Sequence, residues 1–111
     1  MAEGQSLFKG AIPSGRITAV FLSDFSNQDA DLLVAAYASL ADGIRRVDHN
    51  ASAPGGRAEV NIDAPENGVL EVWVAIGAAS DSGRLQIFHE GELRDDEAIF
   101  GSVRWVYSVE A

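Results

Sequence analysis

A cluster of oxygen-bearing side chains lies early in the chain, within the segment SDFSNQDAD. A hard cation such as calcium takes about six to eight oxygen ligands from carboxylates, amides and carbonyls. The spacing does not follow the EF-hand pattern, because Leu32 stands where that loop requires glycine. The residues could instead form a turn or cap a helix, with Ser26 as the N-cap. If the cluster holds calcium, its predicted ligands are Asp24, Asn27, Asp29 and Asp31.

A second acidic run, EGELRDDE, covers residues 90–97. Such a run could meet a basic partner or help to hold a cation. It is also typical of a solvated loop, or of charges that guard an exposed sheet edge against pairing with another chain. We expect the loop or the guarded edge.

The two histidines, His49 and His89, are distant in sequence, and neither has a second histidine or a cysteine at a metal-ligand spacing. His89 falls on the apparent inward face of its strand. There it could act as a buried base near Glu90 or Glu92, or form a structural hydrogen bond. Motifs for a serine nucleophile, a zinc protease and a phosphate-binding loop are missing. We therefore predict a protein that is not an enzyme.

Trp73 and Trp105 are the aromatic residues best suited to form a binding surface. In the alternation of its strand, Trp73 stands beside Glu71 and opposite Leu70, which predicts partial exposure. An exposed tryptophan with acidic neighbours is typical of surfaces that bind carbohydrate or peptide. The alternative for both residues is a two-sided core or a subunit interface.

Composition limits the class of protein. A chain of 111 residues with 47% hydrophobic residues fits one folded domain, and no cysteine is present for a disulfide or a thiolate zinc site. The net charge of −9 repels phosphate backbones and anionic membranes, which argues against nucleic-acid and membrane partners. Apolar runs are far shorter than the roughly 20 residues that span a bilayer, and no signal sequence is recognisable. We expect a soluble protein.

Alternating apolar residues predict a series of strands. In each of five segments, alternate apolar residues share one face of a predicted strand. In the first two these are Ile17, Ala19, Phe21 and Phe25 of GRITAVFLSDF, and Val60 and Ile62 of GRAEVNIDA. In the last three they are Leu70, Val72 and Val74 of VLEVWVAI, Leu85 and Ile87 of RLQIFHE, and Val103, Trp105, Tyr107 and Val109 of SVRWVYSVE. The turn at Pro65 to Gly68 suggests that the second and third of these pair as a hairpin. A further reversal is expected at Glu90 and Gly91.

The segment SNQDADLLVAAYASLADG is ambiguous between helix and strand. Its alanines favour a helix over residues 27–42, with one apolar stripe that includes Leu33, Tyr37 and Leu40. Its apolar run also fits a strand that is buried on both faces. The two alternatives give two fold classes. One is an all-β antiparallel β-sandwich of jelly-roll type, and the other is an α+β fold with that helix packed on a curved antiparallel sheet.

Residues 15–88 resemble the bacterial pre-peptidase C-terminal domain. The matching elements are an Asp-rich entry at Asp29, Asp31 and Leu32, a turn at Asp42 and Gly43, and a turn at Ala64, Pro65 and Gly68. The resemblance implies a β-sandwich in a proteolytic or glycan-binding context. The chain departs from the family in having Val69 and Leu70 where an aromatic pair is common, and in about twenty further residues at the end.

Three function classes follow. The first is a non-catalytic binding or accessory module that engages a protein or glycan partner, with calcium as the candidate ion. The second is a small α+β ligand-binding or enzymatic fold with a pocket around His89. The third is a structural homo-oligomer.

Overall fold

The computed structural model describes residues 5–23, 32–39, 45–51, 57–76 and 82–110. Within these ranges the chain forms nine β-strands and no helix. The strands are β1 Gln5–Pro13, β2 Gly15–Ser23, β3 Leu32–Ser39, β4 Arg45–Ala51, β5 Arg57–Ala64, β6 Val69–Ile76, β7 Ser82–His89, β8 Glu92–Phe100 and β9 Val103–Glu110.

The strands form two sheets that pack face to face. The five-stranded sheet has the order β1-β9-β6-β3-β4, and the four-stranded sheet has the order β5-β2-β7-β8. All strand pairs are antiparallel except β1 with β9, which is parallel. The predicted all-β sandwich is confirmed.

The ambiguous segment contains a strand. β3 pairs along its length with β4 on one edge and with β6 on the other. The neighbouring strands on both edges form hydrogen bonds with the backbone amides and carbonyls of β3, which a helix would instead bond within itself. This pairing therefore overrides the helix preference of the alanines. The α+β alternative with a helix over residues 27–42 is wrong for the described part of that segment.

One buried cluster fills the space between the sheets. It contains most of the residues that alternation placed inward: Ile17, Ala19 and Phe21 of β2, Val60 and Ile62 of β5, Leu70, Val72 and Val74 of β6, Leu85 and Ile87 of β7, and Val103, Trp105, Tyr107 and Val109 of β9. His89, which the same pattern placed inward, is only half-buried and lies outside this cluster. Phe25, which the same pattern placed inward, lies outside the described residues.

The predicted hairpin of β5 with β6 is wrong. β5 pairs with β2 in one sheet, whereas β6 pairs with β3 and β9 in the other. The turn between them is held by β9, because the amide of Asn67 donates to the carbonyl of Val109 at 3.0 Å, and the amide of Val109 donates to the carbonyl of Gly68 at 3.0 Å. Periodicity assigns an inward face to each strand but does not say which sheet the strand joins.

The edge strands β1 and β8 lie on the same side of the sandwich, where Lys9 of β1 forms ion pairs with Asp95 and Glu97 of β8. Each carries a bulge in its pairing, at Lys9 in β1 and at Arg94 in β8. The acidic run therefore lies on an edge strand, which was one of its two predicted arrangements, the other being a solvated loop. The predicted reversal at Glu90 and Gly91 is also confirmed, with φ angles of 49° and 85° that suit a two-residue hairpin turn.

Candidate recognition surface

The predicted calcium ligands Asp24, Asn27, Asp29 and Asp31 lie outside the described residues. Within the described ranges, no group of three or more His, Cys, Asp or Glu residues is arranged to hold a metal ion. The calcium site therefore stays a prediction.

His89 has a structural contact at the end of β7. Its Nε2 lies 2.9 Å from the carbonyl oxygen of Ser14, and the amide of Ser14 donates to the carbonyl of Glu110 at 2.6 Å. A carbonyl only accepts, so Nε2 carries the proton and donates it. The half-buried ring thus fastens the connection between β1 and β2 to β7, which is the structural alternative proposed for this residue.

The same connection needs glycine at position 15. Gly15 has a φ angle of +130°, and a Cβ there would lie 2.7 Å from Oε2 of Glu90 and 3.1 Å from Nε2 of His89. We expect Gly15→Ala to lower the free energy of unfolding by about 2–4 kcal/mol, because backbone strain adds to the displacement of both side chains. Denaturant unfolding measures this loss.

Gly10→Ala is the matched control, since Gly10 also has a positive φ of +108° but nothing lies within 4 Å of its Cβ position. It should carry the backbone cost alone, about 1–2 kcal/mol. Equal losses in the two variants would mean that the contacts of Glu90 and His89 at Gly15 contribute nothing.

Trp105 lies in the core. Its side chain is only 2% exposed, because it shares the inward face of β9 with Val103 and Tyr107. The Lys9 ammonium lies 4.1 Å from the centre of the ring. The structure therefore places Trp105 in the core, which was the alternative proposed for it, and not on an exposed surface.

Trp73 lies on the outer face of the five-stranded sheet and is 39% exposed. The guanidinium of Arg104, its partner in the pairing of β6 with β9, lies over the ring at 5.2 Å from the centre. In addition to this contact with the ring, two hydrogen bonds hold the guanidinium in place. Nε donates to Oε1 of Glu71 at 2.7 Å, and Nη1 donates to Oγ of Ser6 at 2.9 Å.

The residues around Trp73 form two rows across β1, β9 and β6. One row aligns Ser6, Arg104 and Trp73, and the next aligns Phe8, Val106 and Glu71. Phe8 is 66% exposed, and Val69 is also exposed on the same sheet. We call this surface the Trp73 face, and define it by Ser6, Phe8, Val69, Glu71, Trp73, Arg104 and Val106.

The Trp73 face combines exposed apolar groups with one fixed cation. Arg104 and Glu71 neutralise each other, so the rest of the surface is apolar or uncharged. Sequence reasoning identified Trp73 and Glu71 but missed Arg104, Ser6 and Phe8. The alternation of β9 does place Arg104 outward, but nothing in the sequence shows that β1 and β6 flank β9.

Comparison with known proteins finds no matching family model, no matching curated protein and no matching solved structure. Within the described ranges, no helix has the length and apolarity needed to cross a membrane.

Proposed function

We propose that this chain is a non-catalytic binding module that engages a protein partner through the Trp73 face. The observation that carries the proposal is the half-exposed Trp73 ring with Arg104 held over it by Glu71 and Ser6. Tryptophan and arginine are the residues most enriched at the energetic centres of protein interfaces. Here both are held in place before binding, which reduces the entropy that a partner must overcome.

A protein partner suits this surface better than a glycan. A sugar ring stacks on an open aromatic face, whereas the Arg104 guanidinium already lies over Trp73. Phe8 and Val69 extend the apolar area along the same sheet, as the buried centre of a protein interface requires. The resemblance to the pre-peptidase C-terminal domain would place such a module beside a protease, and this stays a prediction.

Affinity capture from lysate tests the Trp73 face when the wild-type chain and variants with one exposed residue changed are used as baits in parallel. Proteins captured by the wild-type chain should be lost with Trp73→Ala, with an affinity decrease of at least about 30-fold for each direct partner. Arg104→Lys should also weaken capture, because lysine keeps the charge but not the planar group over the ring. Quantitative mass spectrometry measures the captured proteins, and titration calorimetry measures the affinity of each one after purification.

Leu22→Ala is the matched control, since Leu22 is an exposed apolar residue of the four-stranded sheet. It should retain every partner that Trp73→Ala loses. If the chain binds to a glycan array and Trp73→Ala abolishes that binding, the partner is a carbohydrate and not a protein. Self-association in sedimentation that depends on Trp73 would replace it by a second copy of the chain.

A further inference from the structure

A cleft opens on the side of the sandwich where β1 and β8 form the edges. It has a volume of about 120 Å³. Buried Trp105 and Val103 of β9 contribute to its lining, and so do exposed Leu7 of β1 and exposed Phe100 of β8. The remaining lining residues are Glu97, Ala98 and Ile99 of β8. Six of the seven lining residues are apolar and Glu97 adds one carboxylate, but polar and apolar atoms contribute about equally to the surface of the cleft.

The volume fits a single apolar side chain. An apolar protein cavity of about 150 Å³ accommodates a benzene molecule, so this cleft suits a group of similar or slightly smaller size. Phe100 is 72% exposed, although it is one of the largest apolar residues in the chain. A side chain inserted beside Phe100 and Leu7 would cover apolar surface that is now in contact with water.

The strand beside this cleft has an unpaired edge. β8 pairs with β7 from Glu92 to Phe100, and in the described part of the chain no strand lies on its other side. No described strand therefore bonds to its outward amide and carbonyl groups, although the amide of Asp96 donates to Oδ1 of Asp95 at 3.0 Å. Strand addition gains its affinity from main-chain hydrogen bonds and its specificity from pockets that receive alternate side chains.

The charge of β8 determines which kind of segment can pair with its free edge. β8 carries four acidic residues and one basic residue, Arg94. Lys9 pairs with Asp95 and Glu97, and Arg84 pairs with Asp96, so these two cations and Arg94 compensate most of this charge. The whole chain nevertheless has a net charge of −9. In an antiparallel pairing of β8 with β8 of a second copy, acidic residues would face acidic residues, which is unfavourable.

We propose that the β8 edge and the adjoining cleft bind an extended basic segment of a partner protein. The segment adds to the four-stranded sheet along β8 and inserts one apolar side chain between Leu7 and Phe100. Its lysine or arginine residues pair with Glu92, which forms no ion pair in the described part of the chain, and with the half-exposed carboxylate of Glu97. This site shares no residue with the Trp73 face, and either site can be tested without the other.

The probe is an acetylated and amidated peptide, Lys-Val-Lys-Leu-Lys-Val-Lys, titrated into the full chain. Calorimetry should give saturable binding to one site. In Trp73→Phe, Trp105 is the remaining tryptophan, and its fluorescence should change because it lines the cleft. The same peptide with glutamate for lysine should bind at least ten-fold more weakly. Methylation of alternate backbone nitrogens should weaken binding as strongly, since it removes main-chain donors but no charge.

Phe100→Lys should weaken binding of the basic peptide about ten-fold or more. Leu22→Lys is its control, because it adds the same charge at an exposed apolar position away from the cleft. Glu92→Lys should weaken binding by a smaller factor of about three to five, as it changes only the charge of the edge. Thermal unfolding confirms that each variant remains folded.

Four results would overturn the proposal. Equal weakening by Phe100→Lys and Leu22→Lys would mean non-specific attraction to an acidic protein. If the acidic peptide binds as tightly as the basic peptide, charge has no part in binding. If the methylated peptide binds as tightly as the basic peptide, strand pairing has no part. Concentration-dependent dimers in sedimentation that Phe100→Lys abolishes would show that a second copy occupies the cleft.

Discussion

Trp105→Ala is expected to lower the free energy of unfolding by about 3–5 kcal/mol, whereas Trp73→Ala should lower it by about 1 kcal/mol. The substitution is the same, but the two rings differ in exposure from 2% to 39%. Removing Trp105 takes a large buried side chain out of the space between the sheets and leaves a cavity. Removing Trp73 loses the contact with Arg104 and part of one apolar surface.

Thermal unfolding separates the two outcomes. A domain of this size should lose more than about 10 °C in Tm with Trp105→Ala and only a few degrees with Trp73→Ala. Because small domains are stable by only about 5–15 kcal/mol, Trp105→Ala comes close to preventing folding, and Trp105→Phe serves as a milder variant. Similar losses for the two alanine variants would contradict the placement of the tryptophans on opposite faces of the five-stranded sheet.

Lys9→Met should lower the free energy of unfolding about as strongly as Gly15→Ala. The side chain of Lys9 is 8% exposed, and its Nζ lies 3.0 Å from Oδ2 of Asp95 and also contacts Glu97. The hydroxyl of Tyr107 donates to the same oxygen of Asp95 at 3.0 Å. Removing the cation leaves two carboxylates without it, so we expect a loss of about 2–3 kcal/mol.

Arg57→Met is the control for Lys9→Met. Arg57 pairs with Glu59 at 2.8 Å, but both side chains of this pair are largely accessible to water. Exposed ion pairs contribute little, so the loss should stay below about 1 kcal/mol. Urea unfolding of both variants at neutral pH gives the comparison, and equal losses would show that the position of Lys9 between the sheets adds nothing.

The cluster around Lys9 also predicts how stability depends on alkaline pH. Burial by itself lowers the pKa of Lys9, but hydrogen bonds with Glu97 and Asp95 outweigh it, and the pKa lies above its ordinary value. Burial, followed by the negative charge of Asp95, raises the pKa of Tyr107. Both groups hold their protons more tightly in the folded chain. Their stabilising contribution is therefore complete below about pH 10 and decreases as the pH rises further.

The measurement is the free energy of unfolding from pH 8 to 11. Lys9 is the single lysine of the sequence and Tyr107 is one of two tyrosines, so few other side chains titrate in this range. Stability should fall with pH in the wild type, and less steeply in Lys9→Met and in Tyr107→Phe. Curves that remain parallel would contradict the coupling of these groups to folding.

The inward faces of β2, β5, β6, β7 and β9 were predictable from the sequence because they depend on local alternation, whereas β1 and β4 were not predicted. Leu70, Val72 and Val74 are buried, as their spacing predicted, and so are Val103, Tyr107 and Val109. The acidic residues of β8 fitted either a solvated loop or the guarded edge of a sheet, and the pairing of β8 with β7 decided for the edge. Partial exposure of Trp73 followed from the same alternation.

Pairing between strands was not predictable in this way. β3 reads locally as a helix as readily as a strand, and its neighbours β4 and β6 decided between the two. β5 and β6 are adjacent in sequence but join different sheets, while β1 and β9 are distant in sequence and pair in parallel. Arg104, Ser6 and Phe8 meet Trp73 only through these distant pairings.

By itself, the sequence determined that this protein is built mainly from strands with an apolar inward face. Among the residues whose burial the structure describes, no acidic residue is buried. Only the tertiary structure decided which strands lie side by side. Side-chain alternation is set within a few residues, but every pair of strands has interchangeable backbone donors and acceptors. The choice of neighbour therefore depends on how the whole set of strands closes around a common core, and both proposed sites depend on that choice.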